Sequence, residues 1–149
     1  MQRLNLPAGN FRVKSTDNGS GLRIFDPLRK RFYVLTPEEW VRQHVVYFLL
    51  SRKRTPASLT AIEKQIQVND TYKRYDIVVY RSDGSIWLLV ECKRPEVKIC
   101  QATFDQIARY NLSLDATYLM VSNGMEHYFC QMDHENERYV FLRDLPNYK

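Results

Sequence analysis

Three residues have the types and spacing expected of a metal-dependent site. Asp76 is followed by fourteen residues and then by Glu91, and Lys93 stands two positions further on. Two carboxylates supply oxygen ligands of the kind that Mg²⁺ takes in proteins, and they leave room for waters and a phosphate. A neighbouring lysine can orient or deprotonate a water, or stabilise charge on the phosphate. We therefore expect Asp76 and Glu91 to bind Mg²⁺, with Mn²⁺ as a substitute, and Lys93 to assist hydrolysis at phosphorus.

A β-hairpin would bring the two acidic residues together. Residues 75–81 and 86–92 are strand-like runs on either side of an Asp-Gly turn at 83–84. A two-residue turn there gives a symmetrical register, in which position 80 pairs with 87, 78 with 89, and Asp76 with Glu91. Directly opposed residues in such a ladder have Cβ atoms about 4.5–5.5 Å apart. We therefore expect the two carboxylates to face each other at the end of the hairpin.

Lys93 is expected on the same face as Glu91, because side chains along a strand alternate with a period of two. The same register pairs Arg74 with Lys93, at the end where the acidic residues lie. Like charges opposed across a ladder repel each other, and the surrounding residues are apolar, so a divalent cation would relieve the repulsion. The alternative is that Lys93 simply neutralises one carboxylate as a partly buried ion pair.

Turn, capping and hydrophobic patterns indicate the elements that position these residues. The first 35 residues alternate short strand-like runs with turn clusters, which is typical of an antiparallel meander. Thr36 and Pro37 then mark a helix start, where Glu39 is expected to complete a capping box. This helix should run to about residue 51. The rest of the pattern predicts strands at 62–68, 75–81 and 86–92, a helix at 97–114, and strands at 116–122, 126–132 and 138–142. We therefore predict an α/β fold with a mixed central β-sheet flanked by helices.

Length and composition fit one globular domain covering residues 1–149, with the meander at 1–35 and the core at 36–145. The net charge of +5 and the pI near 9.2 favour phosphate backbones without requiring them as partners. Every apolar run is far shorter than the roughly 20 residues that span a bilayer, and the N-terminus lacks a signal-peptide core. We expect a cytoplasmic protein with no membrane partner. The three cysteines form neither a disulfide framework nor a zinc pattern, and we expect them to be small buried residues.

Asp76, Glu91 and Lys93 resemble the P-D-(D/E)-x-K motif of a large nuclease superfamily. The usual proline is absent, since Tyr75 precedes Asp76, but the proline has no chemical role in the argument above. The resemblance implies a restriction-endonuclease-like fold. It also implies a metal-dependent deoxyribonuclease, a hydrolase that cuts phosphodiester bonds with Mg²⁺ held by Asp76 and Glu91.

Members of this superfamily often carry a further glutamate on the helix before the catalytic sheet. Glu38 lies about 60° from Val41 around the predicted helix, close to its apolar face, whereas Glu39 should point away. The resemblance therefore implies that Glu38 is an additional metal or water ligand. The alternative is that Glu38 is only a negative charge that favours the helix N-terminus.

Gln106 and Tyr110 resemble the Gln-x-x-x-Tyr signature of the RecB-like branch of the superfamily. The two residues are one helical turn apart, so both side chains can reach the same site. The resemblance implies that they position the active site and the DNA backbone. Without it, such a pair would be ordinary helix surface.

Five blocks of sequence in the right order resemble, more specifically, the N-terminal nuclease domain of type I restriction enzyme motor subunits. The resemblance runs from about Ile24 to His127, and the blocks lie at 36–43, 73–80, 89–95, 105–111 and 121–124. The sequence has no Gly-x-x-x-x-Gly-Lys-Ser/Thr phosphate loop. We therefore expect a free-standing version of this domain with no ATP site.

DNA is the partner that the resemblance implies, and we expect Arg74, Arg94 and Arg109 to contact its backbone. Two alternatives stay open: a non-catalytic DNA-binding module, and an accessory subunit of a restriction or repair complex. The sequence also leaves open whether the chain binds a partner subunit of the restriction or helicase type, and whether it forms a homodimer that cuts two strands. Recognition sequence, strand preference, endonuclease or exonuclease mode and pathway do not follow from the sequence.

Overall fold

The computed structural model describes residues 1–149, and the predicted order of elements is confirmed. An antiparallel meander of three strands comes first: β1 (Val13–Ser15), β2 (Leu22–Asp26) and β3 (Arg31–Val34). The helix α1 (Pro37–Arg52) follows. Six strands form the second sheet in sequential order, with the helix α2 (Gln101–Asn111) between its third and fourth strands: β4 (Thr60–Val68), β5 (Thr71–Tyr80), β6 (Ile86–Cys92), β7 (Tyr118–Ser122), β8 (His127–Asp133) and β9 (Arg138–Leu142).

The larger sheet is mixed, as predicted. β6 and β7 pair in parallel, and all its other neighbouring strands pair antiparallel. A parallel pair needs a crossover connection, and α2 supplies it between β6 and β7. The fold is therefore α/β, with a restriction-endonuclease-like central sheet flanked by helices and preceded by the meander.

The sheet is buried on both sides, because apolar residues on its strands alternate between two cores. Residues of α1 such as Val41 and Val45 pack with one set of strand residues, which includes Val79 and Val90. Residues of α2 pack with the intervening set, which includes Leu89. The molecule thus has three layers, with α1 and α2 on opposite faces of the sheet.

The helix starts differ in how well the sequence predicted them. Thr36 is the N-cap of α1, and its hydroxyl accepts the Glu39 amide at 3.0 Å, as expected. The second helix begins at Gln101 rather than at residue 97, so the predicted span 97–114 is too long at both ends. A turn that closes from the Val97 amide to the Arg94 carbonyl at 3.0 Å holds this segment out of the helix.

The β5–β6 hairpin has the predicted register at its far end but not beside the turn. Val78 pairs with Leu89 and Ile77 with Val90, as a symmetrical register requires. Tyr80, however, pairs with Ile86 instead of with residue 87, because a bulge lies between Val79 and Tyr80. The bulge absorbs one residue, and the ladder beyond it is in the expected phase.

The turn after β7 connects three separate parts of the chain. The Ser122 carbonyl accepts the Lys93 amide at 2.8 Å, and the Asn123 side-chain amide donates to the Val97 carbonyl at 2.9 Å. On the other side, the Asn5 amide donates to the Gly124 carbonyl at 2.8 Å. The turn therefore holds both the N-terminal segment and the segment that begins at Lys93.

We predict that Gly124→Ala destabilises the protein more than Gly84→Ala. Both glycines have positive φ values, +87° and +89°, so both substitutions strain the backbone. A Cβ at Gly124 would also lie 2.9 Å from Leu4 and 3.0 Å from Val41, whereas a Cβ at Gly84 meets nothing within 4 Å. We expect the extra loss at Gly124 to be about 1–3 kcal/mol, as for overpacked cores. Urea unfolding of the two variants measures it, and equal losses would contradict the packing argument.

Candidate active site

Asp76 connects three elements through its two carboxylate oxygens. Oδ1 accepts a hydrogen bond from Nη2 of Arg42, on α1, at 2.8 Å. Oδ2 accepts the backbone amide of Cys92, the last residue of β6, at 2.8 Å. Charge-assisted hydrogen bonds of this kind are among the stronger ones in proteins. The carboxylate is therefore fixed at the end of the β5–β6 ladder.

Glu91 is almost fully buried, with 8% of its surface exposed, and its Oε1 receives an ion pair from Nζ of Lys73 at 3.1 Å. Burial raises the pKa of Glu91 above the ordinary glutamate value, and the negative charge of Asp76 raises it further. The ammonium groups of Lys73 and Lys93 lower the pKa of Glu91 without offsetting these effects. The two carboxylates are thus electrostatically coupled, and the protein leaves negative charge here incompletely compensated.

The regular alternation predicted across the hairpin breaks at Asp76. Glu91 lies between Val90 and Cys92, which both pack on the α1 side, so its side chain projects from the opposite face. The neighbours of Asp76 do not share a face, because Tyr75 packs on the α2 side and Ile77 on the α1 side. The expected pairing of Asp76 with Glu91 is therefore not part of the ladder, which ends at Ile77 and Val90. The two carboxylates instead have different cationic partners, Arg42 and Lys73.

Glu63 lies beside this break, on the adjacent strand. It falls between the pairs Ile62–Ile77 and Lys64–Tyr75, which puts it across from Asp76. Its φ of +52° is in the left-handed region that residues with side chains seldom adopt. A left-handed residue at this position interrupts the β4–β5 ladder at the point where the side chains of β5 stop alternating between the two faces of the sheet.

Lys93 follows the last residue of β6 and is half-buried. Its amide is held by Ser122, and its ammonium forms no ion pair in the structure. The proposed neutralisation of one carboxylate falls instead to Lys73. The expected pairing of Arg74 with Lys93 is wrong, because the β5–β6 ladder ends at Ile77 and Val90. Arg74 pairs with Gln65 of β4, on the other side of β5.

The two glutamates at the start of α1 differ from the prediction in which of them is exposed. Glu39 does not point away to complete a capping box, because its carboxylate is buried and binds Arg29 at 2.9 Å and Arg42 at 2.7 Å. The meander that carries Arg29 covers the first turn of α1, and helical periodicity alone does not reveal this cover. Glu38 is the more exposed residue, with 45% of its side chain accessible, and it lies 3.3 Å from Nη2 of Arg42. Both glutamates line a cavity of about 500 Å³ with Glu63 and Arg42.

Gln106 and Tyr110 lie on the exposed side of α2, one turn apart. The ammonium of Lys73 lies 4.9 Å from the centre of the Tyr110 ring and 4.7 Å from that of Tyr75. Tyr110 is therefore connected to Glu91 through Lys73. Gln106 and Tyr110 line a groove of about 360 Å³ together with Arg109 and the tip of the β4–β5 hairpin.

The three arginines expected at DNA are all accessible to solvent. Arg74 has 68% of its side chain exposed and lies 4.0 Å from Glu63. Arg94, in the segment after Lys93, has 54% exposed and pairs with Glu96 at 2.5 Å. Arg109 is exposed on α2. They lie on β5, on the segment after β6 and on α2, respectively.

Three residues of this site were missed in the sequence. Lys73 lies on the strand three residues before Asp76, outside the motif, so the spacing of the motif does not select it. Arg42 follows Glu38 and Glu39 by one helical turn, a spacing at which opposite charges meet. Nothing in the sequence pattern indicated Glu63, because its approach to Arg42 depends on its left-handed backbone conformation.

The prediction for the cysteines is only partly correct. Cys92 and Cys130 are buried as expected, but Cys100 is exposed.

The residues present suit Mg²⁺ in their donor chemistry. Asp76 and Glu91 offer hard oxygen ligands, and Mg²⁺ commonly takes one or two carboxylates and keeps several waters. Burial, together with the charge of Asp76, raises the pKa of Glu91, and a divalent cation would favour its charged form. No group of three or more His, Cys, Asp and Glu side chains in the chain is arranged to hold a metal ion.

We predict that Glu91→Gln stabilises the protein near neutral pH. A folded-state pKa above the ordinary value means that the folded protein binds this proton more tightly than the unfolded chain does. The resulting stability is complete below the ordinary glutamate pKa of about 4.3 and is lost as the pH rises through the raised value. A neutral amide avoids that loss, so the melting temperature should rise by a few degrees at neutral pH.

Thermal unfolding at several pH values measures this effect, with Glu135→Gln, at an exposed position, as the control. The advantage of Glu91→Gln should shrink toward zero as the pH falls below the ordinary glutamate range. A lower melting temperature than the wild type at neutral pH would show that the Lys73 ion pair outweighs the cost of burying the charge.

None of the helices is long and apolar enough to cross a membrane.

Comparison with curated proteins gives no match. Among solved structures, the chain is similar to a fragment described as an HsdR subunit of a type I restriction enzyme from Vibrio vulnificus. The identity is 20%, the TM-score is 0.48, and the match covers 76% of this chain and 24% of that one. The family model for the "Type I restriction enzyme R protein N terminus (HSDR_N)" matches residues 37–146, well over half of the 149 residues. The chain therefore belongs to the family of type I restriction enzyme R protein N termini.

Proposed function

We propose that this chain is a metal-dependent deoxyribonuclease that hydrolyses DNA phosphodiester bonds. Family membership supports a nuclease of the restriction type. The single observation that carries the finer proposal is the pair of Asp76 and Glu91, in which burial and, to a smaller extent, the charge of Asp76 raise the pKa of Glu91. A buried carboxylate whose pKa is perturbed by burial and by a neighbouring charge is characteristic of functional sites. Lys93, with no ion-pair partner of its own, lies next to them in sequence and is available to a substrate.

In this proposal, Asp76 and Glu91 would hold Mg²⁺ or Mn²⁺. When bound, the ion would supply Lewis acidity at the phosphate and lower the pKa of a water. Lys93 orients the attacking water or donates to the phosphate oxygen on which charge develops. Glu38, exposed at the start of α1, assists by accepting a hydrogen bond from a water.

The remaining residues bind and orient DNA. Gln106 and Tyr110 face the groove beside the β4–β5 hairpin, and Tyr110 contacts the same lysine that holds Glu91. We propose that this pair positions the site against the backbone. Arg74, Arg94 and Arg109 neutralise phosphates around it, since exposed arginines supply affinity that is independent of sequence.

We predict that Asp76→Asn and Lys93→Met each reduce DNA cleavage at least about a hundredfold, because each removes a group that acts in the transition state. Nicking of supercoiled, linear and single-stranded DNA in Mg²⁺ or Mn²⁺ measures the loss. Asp115→Asn, at a fully exposed side chain, and Lys64→Met, on the exposed part of β4, are the matched controls. Melting temperatures show whether the variants fold.

The outcomes separate the proposal from its alternative. Wild-type protein that cleaves none of these DNA forms with either metal, but binds DNA in Ca²⁺, would be a non-catalytic binding module. Cleavage by the wild type that persists in both variants would place the chemistry elsewhere.

We also predict that Arg109→Ala weakens binding to duplex DNA equally for unrelated sequences. Loss of one phosphate contact should make the slope of log K against log salt shallower by about 0.9. Arg138→Ala is the control, because Arg138 begins β9 at the opposite end of the sheet. Fluorescence anisotropy at several salt concentrations, in Ca²⁺ to prevent turnover, measures both slopes. An unchanged slope for Arg109→Ala would remove this residue from the interface.

A further inference from the structure

One nitrogen atom of Arg42 lies among carboxylates from three elements. Its Nη2 is 2.8 Å from Asp76 of β5, 3.3 Å from Glu38 of α1 and 3.4 Å from Glu63 of β4. The Arg42 side chain is only 7% exposed, so solvent does little to screen these interactions. Nη2 therefore has the surroundings of a bound cation.

The other end of the same guanidinium is anchored separately. Nη1 lies 2.7 Å from Glu39, whose carboxylate also binds Arg29 and Gln43. Glu39 has 6% of its side chain exposed, compared with 38% for Glu63 and 45% for Glu38. Arg42 thus has one buried partner, Glu39, and two more exposed partners that line the cavity, Glu38 and Glu63. Its fourth partner, Asp76, has 13% of its side chain exposed.

The charge balance explains why a cation is needed here. Burial alone would lower the pKa of Arg42, but the charges of Glu39 and Asp76 raise it well above the ordinary arginine value. Without a cation, the carboxylates of Glu38, Glu63 and Asp76 would repel one another in a region of reduced dielectric. Arg42 holds them together in the protein without metal.

We propose that Arg42 is a built-in counter-ion that competes with the divalent cation for Asp76. This inference rests on the proposed function, in which Asp76 is a metal ligand. In the structure, Nη2 of Arg42 donates a hydrogen bond to Oδ1 of Asp76. Metal binding at Asp76 requires Nη2 to leave Oδ1, while Nη1 keeps its bond to Glu39. Arg42 therefore sets the metal affinity and preserves the arrangement of carboxylates when metal is absent.

The direct test observes the Arg42 guanidinium during a Mg²⁺ titration, by ¹⁵N-detected NMR of arginine side chains. The Arg42 signals should shift in step with the binding isotherm measured by calorimetry on the same sample. Arg29 is the internal control, since it binds Asp26 and Glu39 and has no contact with Asp76. Assignment follows from the signals that disappear in Arg42→Lys and Arg29→Lys.

The two ways to fail are distinguishable. Saturable Mg²⁺ binding that Asp76→Asn abolishes, with unchanged Arg42 signals, would overturn the counter-ion role and leave the proposed metal site intact. Absence of Mg²⁺ and Mn²⁺ binding at millimolar concentrations would overturn both.

Arg42→Lys provides a second measurement that does not depend on activity. Lysine keeps the charge but is a single ammonium, so it cannot bridge Glu39 and Asp76 as the guanidinium does. We expect a lower melting temperature without metal. We also expect Mg²⁺ binding that is about fivefold to tenfold tighter, which is the scale of removing one competing hydrogen bond.

Arg29→Lys is the matched control, because it also removes a buried guanidinium from Glu39. It should lower the melting temperature without changing the Mg²⁺ affinity. Unchanged or weaker metal binding by Arg42→Lys would show that Arg42 only supports the fold or assists the metal, and would overturn the competition.

Discussion

The carboxylate of Asp76 is the point on which the arrangement of the whole site depends. One of its oxygens binds a guanidinium on α1 and the other binds the backbone amide at the end of β6. A single side chain on β5 thus fixes the helix against the sheet and the two strands of the hairpin against each other. Because the bonds are charge-assisted and partly buried, their loss would be felt in all three elements.

Charge is distributed unevenly around this point. Toward α1, several carboxylates share the guanidinium of Arg42, and toward α2, Glu91 has only the ammonium of Lys73. Away from these groups, the strands of the sheet are lined by apolar residues on both faces. Incomplete neutralisation at the end of an otherwise apolar sheet is costly for stability, and such costs are commonly found where a protein binds a charged partner.

The sequence predicted the parts of the structure that depend on local patterns. The phase of the hairpin at Ile77 and Val90 followed from the turn residues and the apolar alternation, and the N-cap at Thr36 followed from the residues around it. The bulge beside the turn was not predicted, because the strand pairs beyond it have the same register that a regular two-residue turn would give.

The parts that failed depend on contacts between distant segments. Glu39 is buried because the meander brings Arg29 onto it, and no helical period contains that information. The left-handed conformation of Glu63 and the late start of α2 have the same origin. The segment that would have extended α2 is held by a side chain more than twenty residues later, at Asn123. Sequence reasoning therefore selected Asp76, Glu91 and Lys93 by their types and spacing, and it did not find the cations that bind the first two.

The turn at Asn123 and Gly124 gives the N-terminal segment a role beyond packing. The same few residues bind Asn5 on one side and the segment that starts at Lys93 on the other. Local opening of either contact removes support from the other, so the two segments should open as one cooperative unit. A ligand or partner that displaces the first residues of the chain would thereby loosen the backbone that carries the Lys93 ammonium, even though the two lie on different sides of the turn.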